Sequence, residues 1–153
     1  MKKVKVGFIG LGNVGSKIAS NILKGDFQLF VNDIEIETFK HNHGSIDVQT
    51  YKIGKFAYST DLKKFYEKDI DKLKNLDLWI VGLLRNETHP SHAGFNEIMD
   101  YVKYINPKKT ILTHMTALLD EKELISRCYN NVLPAHDGME IIIWIKLMLG
   151  LLA

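Results

Sequence analysis

Apolar and polar positions follow two periods along this chain. "VKVGFI" (4–9) is β-branched and apolar up to a glycine, which predicts a buried strand. "NVGSKIASNILK" (13–24) places Val14, Ile18, Ile22 and Leu23 near helical spacing. "FQLFVND" (27–33) predicts a second strand, and "IEIETF" (34–39) alternates like a half-exposed one. "DVQTYKI" and "KFAYST" flank Gly54 as the arms of a hairpin. "DLKKFYEKDIDKLKN" (61–75) has helical character, with Asp61 placed to cap it. "LDLWIVGLL" (76–84) predicts a fully buried strand, "AGFNEIMDYVKYI" (93–105) an amphipathic helix ended by Asn106-Pro107, and "KTILTH" (109–114) another strand. "LLDEKELISRCY" (118–129) predicts a helix with acidic early turns, and "GMEIIIWI" a closing strand. Alternating strands and helices define an α/β chain.

Composition narrows the function classes. The length of 153 residues suits about one domain, and 46% apolar content is that of a globular protein. A net charge of +2, with lysines spread along the chain, gives no electrostatic case for nucleic acid. The single cysteine, Cys128, excludes an internal disulfide, fits a reducing cytoplasm and suits a half-buried helix position. The N-terminal apolar stretch is short and glycine-broken, unlike a signal peptide, and no run reaches the roughly 20 apolar residues of a membrane span. These features predict a cytoplasmic protein. The run "IIIWIKLMLGLLA" (141–153) carries only Lys146 as a charge. It suits a last strand running into a core-covering segment, or an apolar patch that binds a partner, a second copy or a membrane surface.

"GFIGLGNVG" holds G-x-G-x-x-G as Gly10, Gly12 and Gly15, between a predicted strand and a predicted helix. That context suits a pyrophosphate at the helix start, with Asp33 placed for a ribose hydroxyl. "KVGFIGLGNVGSKIASNILKGDFQLFVND" resembles the opening βαβ of the β-hydroxyacid dehydrogenases. The resemblance implies a Rossmann-like element with NAD as a candidate cofactor at Gly10, Gly12, Gly15 and Asp33. That family also needs more strands and a large helical domain with a catalytic lysine, for which a chain ending at 153 has no room.

From about residue 34 the motifs change. "HNHGSI", "AYSTD", "HPSHAGF", "TILTH" and "VLPAHDGMEI" follow in order, each carrying histidine or aspartate. In that order they resemble the second half of metallo-β-lactamase-fold hydrolases, over about 34–142. The phosphodiesterases that open phosphoribosyl cyclic phosphates are the nearest branch, with ribonuclease Z more distant. The resemblance implies two metal ions about 3.5–4 Å apart that activate water for attack on phosphorus. It implies His43, Asp61 and His114 as ligands for zinc or manganese, with Asp61 bridging. It implies His92 as the acid toward the leaving oxygen, and a small phosphodiester as substrate.

The sequence also departs from that family. Its first-half H-x-H-x-D-H motif is absent, because Ser45 and Ile46 stand where Asp and His would follow "HNHG". Each metal is then left about two protein ligands where a catalytic zinc keeps three, so weak binding and impaired activity are expected. Lack of one sheet would expose apolar faces such as "LDLWIVGLL". His41 and His43 would share one face of a strand, His89 reads as a loop residue and His136 as structural. The expected organisation is a Rossmann-like βαβ segment (1–33), a partial metallo-β-lactamase αβ/βα domain (34–142) and an apolar tail (143–153), with a join near residue 33. Three functions follow: an impaired metal-dependent phosphodiesterase, an NAD(P)-dependent hydroxyacid-dehydrogenase-like protein whose Rossmann sheet continues through "LDLWIVGLL" and "KTILTH", or a non-catalytic fragment.

Overall fold

The computed structural model describes residues 36–143 in full, and N-terminal to them the backbone of two strands. The chain divides near residue 35. In the smaller unit, β1 (Val4–Ile9) and β2 (Phe27–Asn32) pair in parallel, from Val4 opposite Phe27 to Ile9 opposite Asn32. Parallel strands need a crossover between them. The helix expected at 13–24, and the cradle of Gly10, Gly12, Gly15 and Asp33, lie outside the described residues.

The larger unit is built on a six-stranded sheet in chain order: β3 (Glu37–His43), β4 (Ile46–Ile53), β5 (Phe56–Ser59), β6 (Leu78–Gly82), β7 (Lys109–Thr113) and β8 (Val132–Pro134). Pairing is antiparallel from β3 to β5 and parallel from β5 to β8. Two-residue turns close the hairpins, with Gly44 at φ 73° and Gly54 at φ 55°, each in the first turn position. That glycine-first chemistry matches the right-handed twist of the strands. Three helices complete the unit: α1 (Glu67–Ile70), α2 (Phe95–Ile105) and α3 (Glu121–Arg127).

The parallel register lines up one buried face. Ala57, Trp79 and Thr110 form one row, and Ser59, Val81 and Leu112 the next. All six are fully buried, and Val132 of β8 extends the first row. Phe95, Ile98, Met99, Val102 and Ile105 form the buried stripe of α2 and belong to the same core. Helix α2 ends at Asn106, whose φ of 52° and N–H bond to the Val102 carbonyl stop it one residue before Pro107.

The structure corrects four expectations. Asp61 caps no helix: Asn42 pairs its backbone with Lys63 and Lys64, so the chain there is engaged with β3 and the helix starts only at Glu67. A 3₁₀ turn over Asp71–Leu73 follows. The strand expected at 34–39 runs instead over Glu37–His43 and takes in both histidines of H-x-H. No strand forms in the described part of "GMEIIIWI"; among the described residues the last strand is Val132–Pro134, whose proline is tolerated on an edge. Finally, "LDLWIVGLL" is not left bare, because Leu76, Trp79, Val81 and Leu83 are all buried.

Thr110 stands out in this core. Among the described residues its Oγ1 is the buried side-chain polar atom without a hydrogen-bond partner. A buried unpaired hydroxyl costs about 1–3 kcal/mol. Thr110→Val keeps the shape and β-branching while removing the hydroxyl. It is expected to raise the urea midpoint by the equivalent of about 1 kcal/mol. A lowered midpoint would show that the hydroxyl is paired.

Candidate metal centre

The parallel strands all end at one edge of the sheet, where side chains from separate segments converge. Asp61 follows β5, His114 follows β7, His43 ends β3, and His92 comes from the loop before α2. Asp61 lies at the centre. Its Oδ1 is 3.3 Å from His92 Nε2 and 3.2 Å from His114 Nε2. Its Oδ2 accepts a long 3.4 Å hydrogen bond from the Thr60 hydroxyl. His43, Asp61 and His92 can bring one ligand atom each within 4.8 Å of one another. The His92 and His114 rings stack at 5.6 Å, and His43 meets His92 edge-on at 4.7 Å. The four residues expected from sequence therefore come together. The difference from the resemblance is that His92, implied as the acid, stands with His43 and Asp61 among the possible ligand atoms, while His114, implied as a ligand, lies outside that group of three.

Backbone geometry explains the local sequence. Asp61 and His114 both adopt left-handed conformations, φ 51° and 60°. Such conformations are uncommon outside glycine and cluster at functional sites. Gly82, at the end of β6, fits between them: a Cβ there would lie 3.3 Å from the Asp61 nitrogen and 3.6 Å from His114 Cβ. Gly44 serves twice, because its positive φ turns the chain and a Cβ would meet Ser91 and the Pro90 carbonyl at 3.1–3.2 Å. That close approach seats His43 Nδ1 2.7 Å from the Ser91 carbonyl.

The hydrogen bonds fix proton positions. A carbonyl only accepts, so His43 Nδ1 carries the proton and Nε2 is left as a free lone pair. This is the arrangement of a metal-binding histidine, whose second nitrogen donates to a carbonyl or carboxylate. His89 Nδ1 accepts the Ser91 N–H at 3.3 Å, and the Ser91 hydroxyl lies 2.9 Å from His92 Nδ1. When that hydroxyl donates to His92 Nδ1, the His92 Nε2–H faces the Asp61 carboxylate. One carboxylate and neutral imidazoles suit zinc or manganese, so the donor set fits a divalent cation.

His41 lies on the same strand but inside the core. Its Nε2 is 2.8 Å from the Thr60 carbonyl and its Nδ1 is 3.0 Å from the Thr50 hydroxyl. Burial lowers its pKa, outweighing the Thr60 carbonyl and nearby acids that raise it. Burial likewise lowers His92, against the pull of Asp61. His136 is exposed, with Nδ1 3.0 Å from the Asp137 carbonyl, and stands apart from these contacts. His89 lies in the loop and adjoins the site through Ser91.

A pH dependence follows from the two lowered histidines. The folded chain resists protonation that the unfolded chain accepts near pH 6.5. Stability should therefore hold above about pH 6.5 and decline as pH falls from there through the folded values. Urea midpoints of metal-free protein from pH 7.5 to 5 check this. A flat profile would contradict the burial of His41.

Comparison with known proteins agrees with this architecture. The chain belongs to the β-lactamase superfamily: the family model of the beta-lactamase superfamily domain matches residues 12–115. The matched span begins within the glycine run, crosses the expected join near residue 33, and includes His43, Asp61, His92 and His114. A curated relative, an octanoyltransferase of Porphyromonas gingivalis (strain ATCC BAA-308 / W83), is 32% identical over 129 residues. That match takes 79% of this chain and 25% of that protein, so the chain spans about a quarter of the relative's length. Among solved structures, a diphosphatase from the PhnP family superposes with TM-score 0.70 at 19% identity, covering 94% of this chain and 61% of the other. The metallo-β-lactamase-fold protein YhfI of Bacillus subtilis gives 0.56 at 14%, covering 88% of this chain and 64% of the other. Human tRNase Z, short form, gives 0.54 at 14%, covering 95% of this chain and 69% of the other. The metallo-β-lactamase fold is thus shared, and the dinucleotide reading of the glycine run draws no support from these matches. No helix among the described residues is long and apolar enough to cross a membrane.

Proposed function

We propose that this chain carries part of a metal-dependent phosphodiesterase site, with His43, Asp61 and His114 holding zinc or manganese and His92 supplying a proton. The observation behind this reading is the convergence of His43, His92 and His114, from three other segments, on the Asp61 carboxylate. Names among the structural neighbours, a diphosphatase and a tRNase, favour a phosphorus–oxygen bond as target. A divalent metal, when bound, would neutralise phosphoryl charge and make water acidic enough to attack. The chain's own groups do the rest. His43 offers its Nε2 lone pair, and Asp61 supplies the negative charge that balances a cation. His92 can pass a proton from Nε2 to a leaving oxygen from its imidazolium form, which burial opposes and the Asp61 carboxylate 3.3 Å away favours.

The reading includes impaired activity. The 153 residues contain no H-x-H-x-D-H segment, so this donor set alone leaves each of two metals short of three protein ligands. Purified protein loaded with manganese or zinc, desalted and analysed for metal, should retain it weakly. It should cleave bis(p-nitrophenyl) phosphate slowly. No retained metal and no cleavage above buffer would overturn the proposal.

A further inference from the structure

Behind Asp61 a chain of buried polar groups runs through the core without an evident packing purpose. Trp79 Nε1 lies 3.1 Å from Ser59 Oγ, Ser59 Oγ lies 3.0 Å from Thr50 Oγ1, and Thr50 Oγ1 lies 3.0 Å from His41 Nδ1. His41 Nε2 then meets the Thr60 carbonyl at 2.8 Å. His41, Thr50, Ser59 and Trp79 are all fully buried. Both ends of the chain are fixed: an indole only donates, and a carbonyl only accepts.

Trp79 N–H donates to Ser59, Ser59 and Thr50 share a hydroxyl–hydroxyl hydrogen bond, Thr50 meets His41 Nδ1, and His41 Nε2–H donates to the Thr60 carbonyl. Such a connected network specifies geometry, because any break leaves a buried polar group unpaired. The strands hold it in place: Thr50 on β4, Ser59 on β5 and Trp79 on β6 are neighbours in the sheet, and His41 is on β3 beside β4.

We propose that His41 is a positioning residue: through the Thr60 carbonyl it fixes the peptide plane that leads into Asp61, and so aims the Asp61 carboxylate at His92 and His114. The Thr60–Asp61 peptide is planar, so tying the Thr60 oxygen also sets the orientation of the Asp61 N–H and the plane from which the Asp61 φ is turned. Asp61 needs that restraint, since φ 51° is costly for a residue with a Cβ unless its surroundings hold it there.

This inference rests on the proposed metal site for its consequence, not for its geometry. The test therefore has a metal-free readout. Long-range proton–nitrogen spectra of the histidine rings in metal-free protein should show His41 as the Nε2–H tautomer. In His41→Phe, which fills the space without the hydrogen bonds, the His92 and His114 ring signals should move as Asp61 turns away. His41→Gln, which restores a donor, should return them toward wild-type positions. Manganese affinity should fall about 10-fold in the phenylalanine variant, as for other outer partners of metal ligands, and recover in the glutamine variant. His92 and His114 signals that superimpose on wild type in a folded His41→Phe would overturn the proposal whether or not metal binds. If that variant does not fold, Thr50→Val decides. It leaves His41 in place with Nδ1 unpaired and its ring less firmly held on the Thr60 carbonyl; unchanged His92 and His114 ring signals would overturn the proposal. Absence of manganese binding in the wild-type protein, with the ring shifts as expected, would instead sink the functional reading and leave the positioning role intact.

Discussion

Asp61→Asn should weaken manganese or zinc binding by more than the 10–100-fold typical of losing an outer partner of a metal ligand. Asp61 is the carboxylate that His92 and His114 share, and its Oδ1 lies within 3.3 Å of both rings. Removing its charge removes the attraction for a cation while leaving a side chain of the same size. Asparagine is the right probe, because Asp61 sits at φ 51° and asparagine tolerates that conformation. Alanine there would add backbone strain of about 1–2 kcal/mol and confuse folding with binding. The folded structure should therefore survive, with a far-ultraviolet spectrum like wild type. Titration calorimetry with manganese measures the loss, and His114→Gln should show a smaller one. Affinity within a few-fold of wild type in Asp61→Asn would mean that the cation, if any, binds elsewhere.

Much of the larger unit was readable because its periods are strong. The α2 stripe, the β6 run and the glycine turn at Gly54 come directly from residue type and spacing. Asn106-Pro107 marks the helix end because one residue accepts a left-handed φ and the next cannot continue the helix. The candidate residues have another source: short motifs carried by resemblance point to His43, Asp61, His92 and His114, which the fold brings near one another. What spacing could not show was how they are held. The Asn42 bridge to Lys64 is a long-range pairing that overrides local helical character after Asp61. Gly82 looks like an ordinary strand glycine until Asp61 and His114 are seen on either side of it. His41 is half of an H-x-H pair in sequence, yet only the fold separates a buried hydrogen-bonded ring from a half-exposed one two residues later. Val132–Pro134 is three residues long, too short for any period to reveal.

Trp79→Ala should be the most destabilising single truncation in the described core, costing about 3–5 kcal/mol. Trp79 is completely buried on the central part of the sheet, beside Ala57 and Thr110 in the register. Its ring lies 6.1 Å from that of Phe65, which also packs on Phe39, His41 and Tyr101. Truncation removes the largest side chain of this face and opens a cavity that rigid strands close only in part. It also takes away the N–H that donates to Ser59. A domain has only about 5–15 kcal/mol of total stability, so this loss would bring much of the population near unfolding. Trp79→Phe separates the two contributions, since it keeps most of the ring and loses the donor. It should cost less than the alanine variant while still disturbing the Ser59–Thr50–His41 hydrogen bonds. Urea unfolding followed by the remaining Trp144 and by far-ultraviolet dichroism would rank the three proteins. An alanine variant as stable as wild type would mean that this ring is not packed in the core as the structure places it.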